Sequence, residues 1–116
     1  MKKWDEVYRL PLRADKYSNW VFDDKDNFVC QFETDEPHFE AATLDIINGK
    51  ENRIFVVGKF YHEDGMIYSP DKSDFILIRG YGNLTGQGAM ALSHEDAANI
   101  QDTFAEFIVF KLNEKP

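Results

Sequence analysis

A long amphipathic helix near the C-terminus constrains the fold of this chain more than any other segment. Ser93 with Asp96 three residues later is a variant of the capping box, with Asp where Glu is usual, so we predict that the helix begins there. The apolar residues that follow recur at spacings of three and four, which place them on one helix face; they are Ala97, Ile100, Phe104, Phe107, Ile108 and Leu112. Such a stripe must pack against another apolar surface.

The surface that this helix needs is predicted to be an antiparallel β-sheet. Two apolar runs flank the polar turn 23–27, which is the pattern of a β-hairpin. The alternating region 8–12 contains Pro11, which restricts it to an edge strand or an extended arm. The predicted strands, each a short run of apolar and β-branched residues, are 19–22, 28–32, 53–61, 66–68 and 74–79.

A shorter helix is predicted between the two groups of strands. Asp35 is a candidate N-cap, Pro37 falls in the first turn, and Asn48-Gly49 ends the helix. One face of it collects Phe39, Ala42, Thr43, Ile46 and Ile47. The sequence therefore predicts a single α+β domain over residues 1–116. Its antiparallel sheet has five or six strands, and the C-terminal helix covers one face.

Charge and composition limit the partners of the chain. The formal net charge is −8, with 21 acidic residues against 13 Lys and Arg. We expect no direct binding to nucleic acid or to an anionic membrane, because both require clustered cations. No apolar run approaches the roughly 18 residues of a membrane-spanning helix, and the N-terminus lacks the apolar region of a signal peptide. These features predict a cytoplasmic protein.

The residues that usually carry out chemistry are few and scattered. Cys30 is the single cysteine, and its half-apolar strand predicts a buried free thiol. His38, His62 and His94 have no second ligand at the spacing of three or four that a helical metal site requires. We therefore predict no metal site, no cofactor and no catalytic residue, which favours a binding protein over an enzyme.

Acidic residues are concentrated between positions 23 and 40, where only Lys25 opposes seven carboxylates. Such a cluster attracts basic surfaces, and exposed aromatic residues nearby are the usual anchors of an interface. The alternative interpretation of these acidic residues is a solvated turn followed by the acid-rich start of a helix, with no binding role. A homodimer that buries aromatic surface is compatible with either interpretation. The candidate site for a basic protein partner comprises Trp20, Asp23, Asp24, Asp26, Phe28, Asp35 and Glu36.

The glycine-rich segment 80–88 lies between an apolar strand and the C-terminal helix, which is the order found in phosphate-binding loops. Thr85, however, occupies the place of the third glycine, and the helix begins only near Ser93. We interpret the segment as a turn. A small-ligand or nucleotide site remains the alternative function, and its candidate residues are Arg79, Gly80, Tyr81 and Gly82.

The hairpin with its acidic turn, followed by a helix ending Ile46-Ile47-Asn48, resembles a pattern in short, mostly uncharacterised phage and prophage proteins. The resemblance covers about a quarter of the chain and brings no catalytic residue with it. It implies an origin in a virus or mobile element, where small acidic proteins often act by binding host proteins.

Overall fold

The computed structural model describes residues 2–16, 18–34, 36–54, 58–78 and 92–114, and it confirms the predicted α+β class. Two α-helices are described, α1 (Pro37–Ile47) and α2 (His94–Asn113), together with a 3₁₀ turn over Trp4–Glu6. Six strands form one antiparallel sheet in the order β1-β2-β3-β6-β5-β4. The strands are β1 (Arg13–Ala14), β2 (Trp20–Phe22), β3 (Phe28–Glu33), β4 (Tyr61–Glu63), β5 (Met66–Tyr68) and β6 (Phe75–Ile78).

The predicted hairpin is present as β2 and β3, with Val21 opposite Cys30. On its other side β3 pairs with β6, where Phe32 lies opposite Ile76. The two central strands therefore join the N-terminal hairpin to the later strands in one continuous sheet. This pairing places residues more than forty positions apart in direct contact, which local sequence patterns do not specify.

The prediction of a strand over 53–61 is wrong for residues 53–54 and 58–60, which are not in a strand, and is confirmed only at Tyr61, where β4 begins. Residues 55–57 lie outside the described part of the chain. The backbone N–H and C=O of Phe60 bond to the side chain of Asn113 on α2, at 2.8 and 2.9 Å. The turn predicted over 62–65 consists of only Asp64 and Gly65 in the structure. Their φ angles are 50° and 79°, and the common two-residue hairpin turn needs positive φ at both positions.

Helix α1 begins at Pro37 with Glu36 as its N-cap residue, and the predicted N-cap, Asp35, lies outside the described residues. Asn48 ends the helix as predicted, and its side chain bonds to the backbone N–H and C=O of Leu12 at 2.7 and 2.8 Å. These bonds hold the N-terminal arm against the helix. The buried face of α1 consists of Phe39, Ala42, Thr43, Leu44 and Ile47.

Helix α2 begins as predicted, with the Ser93 hydroxyl accepting the backbone N–H of Asp96 at 3.1 Å. It packs on β4, β5 and β6 and against α1. The rings of Trp4 and Tyr8 contact Phe104, with centroids 5.4 and 5.2 Å away. The sheet, α1 and the N-terminal segment thus all pack against α2, whose buried residues are Ala97, Ile100, Phe104, Ala105 and Ile108.

We call the side of the sheet that packs against the helices the inner face. Paired residues on neighbouring strands point to the same side of a sheet, so the register shows which residues this face carries. Two cross-strand rows form it, and their members on β2, β3, β5 and β6 are each at most 7% exposed. These members are Ile67, Ile76 and Phe32 in one row and Ile78, Cys30 and Val21 in the other. At the edge strands the rows end in the half-buried His62 and the exposed Ala14.

Candidate interaction surface

The opposite side of the sheet, which we call the outer face, carries a second set of apolar side chains. None of the paired residues that the register assigns to this face is buried, in contrast to the inner face. A sheet that is apolar on both sides normally has both sides covered. The register assigns to the outer face Tyr61, Tyr68, Phe75 and Glu33 in one row, Glu63, Met66, Leu77, Gln31 and Trp20 in the next, and Arg13, Phe22 and Phe28 in the third.

Trp20 is the most exposed aromatic residue of the outer face. Its ring stacks on Phe28, with centroids 4.5 Å apart and planes inclined by 16°, and Phe28 in turn contacts Phe22 at 5.7 Å. The Trp20 residue nevertheless remains 44% exposed. Because a strand and a stacking partner hold the indole, Trp20 is a large apolar surface that loses little conformational freedom when a partner covers it.

A second aromatic cluster lies at the other end of the outer face. Tyr61 and Tyr68 stack across β4 and β5 with centroids 5.2 Å apart, and Phe75 lies 6.2 Å from Tyr68. The sequence prediction did not select these residues as a site. The sequence nevertheless contains a pattern that indicates them. The uninterrupted apolar runs Met66–Tyr68 and Phe75–Ile78 place apolar side chains on both faces of a strand.

Asp23 differs from the other described residues of the predicted partner site, because it is fully buried. Its carboxylate accepts the backbone N–H groups of Arg9, Lys25 and Asn27 at 2.8, 2.9 and 2.8 Å. It also accepts the side-chain amide of Asn27 at 3.1 Å. These bonds hold the β2–β3 turn and tie the N-terminal arm to it. Asp23 therefore shapes the turn and leaves no carboxylate surface for a partner.

Asp24 and Asp26 project from the same turn and are exposed, as the prediction of a docking surface requires. The chain places two cations beside them that sequence position did not reveal. Arg9 lies 3.8 Å from the Asp24 carboxylate, and Arg13 forms an ion pair with Asp26. The turn is therefore less acidic in three dimensions than along the sequence.

The predicted acidic residues do not form one patch. The β2–β3 turn precedes β3, whereas Glu36 follows it at the start of α1. The six-residue β3 spans about 17 Å at the usual rise of an extended chain, so Glu36 is remote from Asp24 and Asp26. The structure brings together Trp20, Phe28 and the acidic turn and leaves Glu36 apart, while Asp35 lies outside the described residues.

The alternative ligand site of Arg79, Gly80, Tyr81 and Gly82 lies outside the described residues. The described residues do form an open groove of about 980 Å³ between the C-terminal ends of α1 and α2. Its charges are mixed, with Lys50, Arg53 and Lys111 opposed by Glu51 and Glu114. Mixed charge at an open groove does not select a particular ligand chemistry.

Among the described residues, Cys30 and Tyr8 are titratable groups whose pKa burial raises. Cys30 is a free thiol on the inner face with no exposed surface, as the sequence predicted. Burial raises its pKa above the usual range, and the charge of Glu40 adds to the effect. Burial likewise raises the pKa of Tyr8, with smaller contributions from Cys30 and Asp23. A thiol with a raised pKa is a poor nucleophile at neutral pH.

These raised pKa values predict a loss of stability in alkali. The unfolded chain releases the thiol proton above about pH 8.5 and the tyrosine proton above about pH 10, whereas the folded chain keeps both. The free energy of unfolding should therefore fall by about 1.4 kcal/mol per pH unit for each group above those values. Urea unfolding of the wild type, Cys30→Ala and Tyr8→Phe in alkaline buffers measures this. Cys30→Ala should remove the thiol's contribution to the pH dependence of the free energy of unfolding, and Tyr8→Phe should remove that of the tyrosine. Identical pH dependence in all three proteins would contradict the assignment.

Within the described ranges, no helix combines the length and apolar character needed to cross a membrane. The same residues contain no group of three or more His, Cys, Asp or Glu side chains placed to hold a metal ion.

Comparisons with protein-family models, with curated proteins and with solved structures found no match to this chain. The resemblance to phage proteins therefore stays a prediction. The outer face and the acidic turn beside it are the surface that can indicate a function.

Proposed function

We propose that this chain is a protein-binding module that docks the outer face of its sheet on a basic surface of a protein partner. The observation that carries the proposal is Trp20, which is 44% exposed on an apolar face and stacked on Phe28 beside the acidic β2–β3 turn. Tryptophan is among the residue types that most often dominate the binding energy of a protein interface.

The charges of the chain favour a basic partner. The net charge of −8 raises the rate of encounter with cationic proteins and lowers it for nucleic acid and anionic lipid. Exposed carboxylates lie around the apolar surface, with Asp24 and Asp26 at one end and Glu63 on its middle row. An apolar centre with a charged rim is the usual anatomy of a protein interface. The resemblance to phage proteins supports a host protein as the partner.

The proposal is tested by selecting binding peptides from a random display library against the immobilised chain. We expect enrichment of peptides that combine cationic and apolar residues. Their affinity should fall by about 2 kcal/mol or more, roughly thirtyfold, in Trp20→Ala. Phe110→Ala is the matched control, because Phe110 is 63% exposed on α2, on the other side of the sheet. Enrichment of acidic or uncharged peptides, or equal binding to Trp20→Ala and wild type, would contradict the proposal.

Charge-reversal variants distinguish binding through the acidic β2–β3 turn from general electrostatic attraction by the net charge of the chain. Asp24→Lys should reduce the affinity of the selected peptides more than Glu106→Lys, which changes the net charge equally but lies on the exposed side of α2. The difference should shrink as salt is added, because solvent-exposed charges are screened. Equal losses in the two variants would show that only net charge matters. A Trp20-dependent dimer in light scattering would identify a second copy, rather than a basic protein, as the occupant of the face.

A further inference from the structure

We infer that the outer face recognises an arginine side chain of its partner, and that Arg13 occupies this arginine site in the free protein. This inference depends on the proposed function and specifies the chemistry of the partner. Arg13 lies on β1, the two-residue strand at the edge of the sheet. Three groups of the chain contact its guanidinium, and together they define the site.

The first of these groups is the ring of Phe22, which the guanidinium carbon of Arg13 overlies at 5.5 Å from the centroid. The second is the carboxylate of Asp26, which forms an ion pair with Arg13. The third is the backbone carbonyl of Asp23, which accepts a hydrogen bond from Arg13 at 3.4 Å. An aromatic face with a carboxylate and a carbonyl beside it matches the stacking and forked donors of guanidinium, and it suits the compact ammonium of lysine less well.

The site is held in place by residues other than Arg13. Asp23 fixes the turn through four hydrogen bonds to its buried carboxylate, and Phe22 packs against Phe28. Arg13 itself has a side chain that is 55% exposed and comes from an edge strand of two residues. An incoming arginine can therefore replace the Arg13 side chain without rearranging the aromatic residues or the turn. Trp20, on the neighbouring row, then covers the adjoining part of the partner.

Two chain variants distinguish an arginine site from a simple gain of negative charge. Arg13→Gln empties the site and removes one positive charge. Arg9→Gln removes one positive charge beside the same turn, where Arg9 of the N-terminal arm pairs with Asp24, but leaves Arg13 over Phe22. Both Arg9 and Arg13 are exposed, so neither change threatens the fold. Thermal unfolding of both variants checks this, and we expect melting temperatures equal to that of the wild type.

The experiment measures binding of a short peptide of alternating Arg and Gly, and of the same peptide with Lys at each Arg, to the wild type and to both variants by calorimetry. The Arg peptide should bind wild type more tightly than the Lys peptide. Its affinity should rise about tenfold in Arg13→Gln, because a cation–π contact and an exposed ion pair no longer compete. The gain in Arg9→Gln, and the gain of the Lys peptide in either variant, should be smaller.

Equal affinities for the two peptides, equal gains in the two variants, or no binding by either peptide would overturn the inference. These outcomes are distinguishable from failure of the proposed function. Peptides selected by display that bind through Trp20 without preferring arginine would leave the proposed function standing and remove only the arginine site.

Discussion

Replacing Phe104 with Ala should lower the free energy of unfolding by about 3–5 kcal/mol, the range for removing a large aromatic side chain from a packed core. Phe104 has no exposed surface and lies on the face of α2 that the sheet and the N-terminal segment enclose. The rings of Trp4 and Tyr8 contact it at centroid distances of 5.4 and 5.2 Å. The cavity that Phe104→Ala creates would therefore be lined by residues from separate parts of the chain. Equilibrium unfolding in urea measures the change.

Phe110 provides the matched control on the same helix. Its side chain is of the same type but is 63% exposed, so Phe110→Ala should change the free energy of unfolding by at most about 0.5 kcal/mol. A loss below about 1 kcal/mol for Phe104→Ala would show that α2 packs through a different face. Similar losses for the two variants would lead to the same conclusion.

Replacing Asp23 with Ala should destabilise the fold by at least about 3 kcal/mol. The substitution leaves the backbone N–H groups of Arg9, Lys25 and Asn27 without their carboxylate acceptor in a site that is closed to solvent. An unsatisfied buried polar group costs about 1–3 kcal/mol, and hydrogen bonds to charged groups lie at the upper end. The β2–β3 turn and the N-terminal arm should both loosen, which hydrogen exchange of the three amides reports directly.

Asp24→Ala is the matched control for this prediction, since Asp24 is the next residue and its carboxylate is exposed, 3.8 Å from Arg9. An exposed pair contributes at most about 1 kcal/mol. We therefore expect a large difference between two adjacent aspartates of the same turn. A small effect of Asp23→Ala, with unchanged exchange of the three amides, would contradict the structural role of that carboxylate.

Helix α2 and the first hairpin could be predicted from the sequence because their determinants are local. A cap at Ser93, a stripe repeating every three or four residues, and a polar turn between two apolar runs each specify structure within a few residues. The conformation of Phe60 could not be predicted in the same way. The apolar sequence around it favours a strand, but the backbone of Phe60 bonds to the side chain of Asn113, a contact across 53 positions.

The candidate site was predicted only in part, for a similar reason. The sequence predicts Trp20 and Phe28 as apolar anchors of an interface, and the structure places their rings in contact. The acidic residues are neighbours in sequence and therefore predict one cluster, but Asp23 is buried and β3 separates Glu36 from the turn. Pairing of Asp26 with Arg13 depends on the register of β1 and β2, which no local pattern encodes.

The most direct test of the outer face as a binding surface is side-chain NMR during titration with a basic peptide selected by display. The indole of Trp20 and the methyl groups of Met66 and Leu77 report the outer face, and those of Ile67 and Ile76 report the inner face of the same strands. We predict that the outer-face signals shift with saturation while the inner-face signals stay in place. Saturable shifts confined to the groove between α1 and α2, with the Trp20 indole unchanged, would contradict the proposed function.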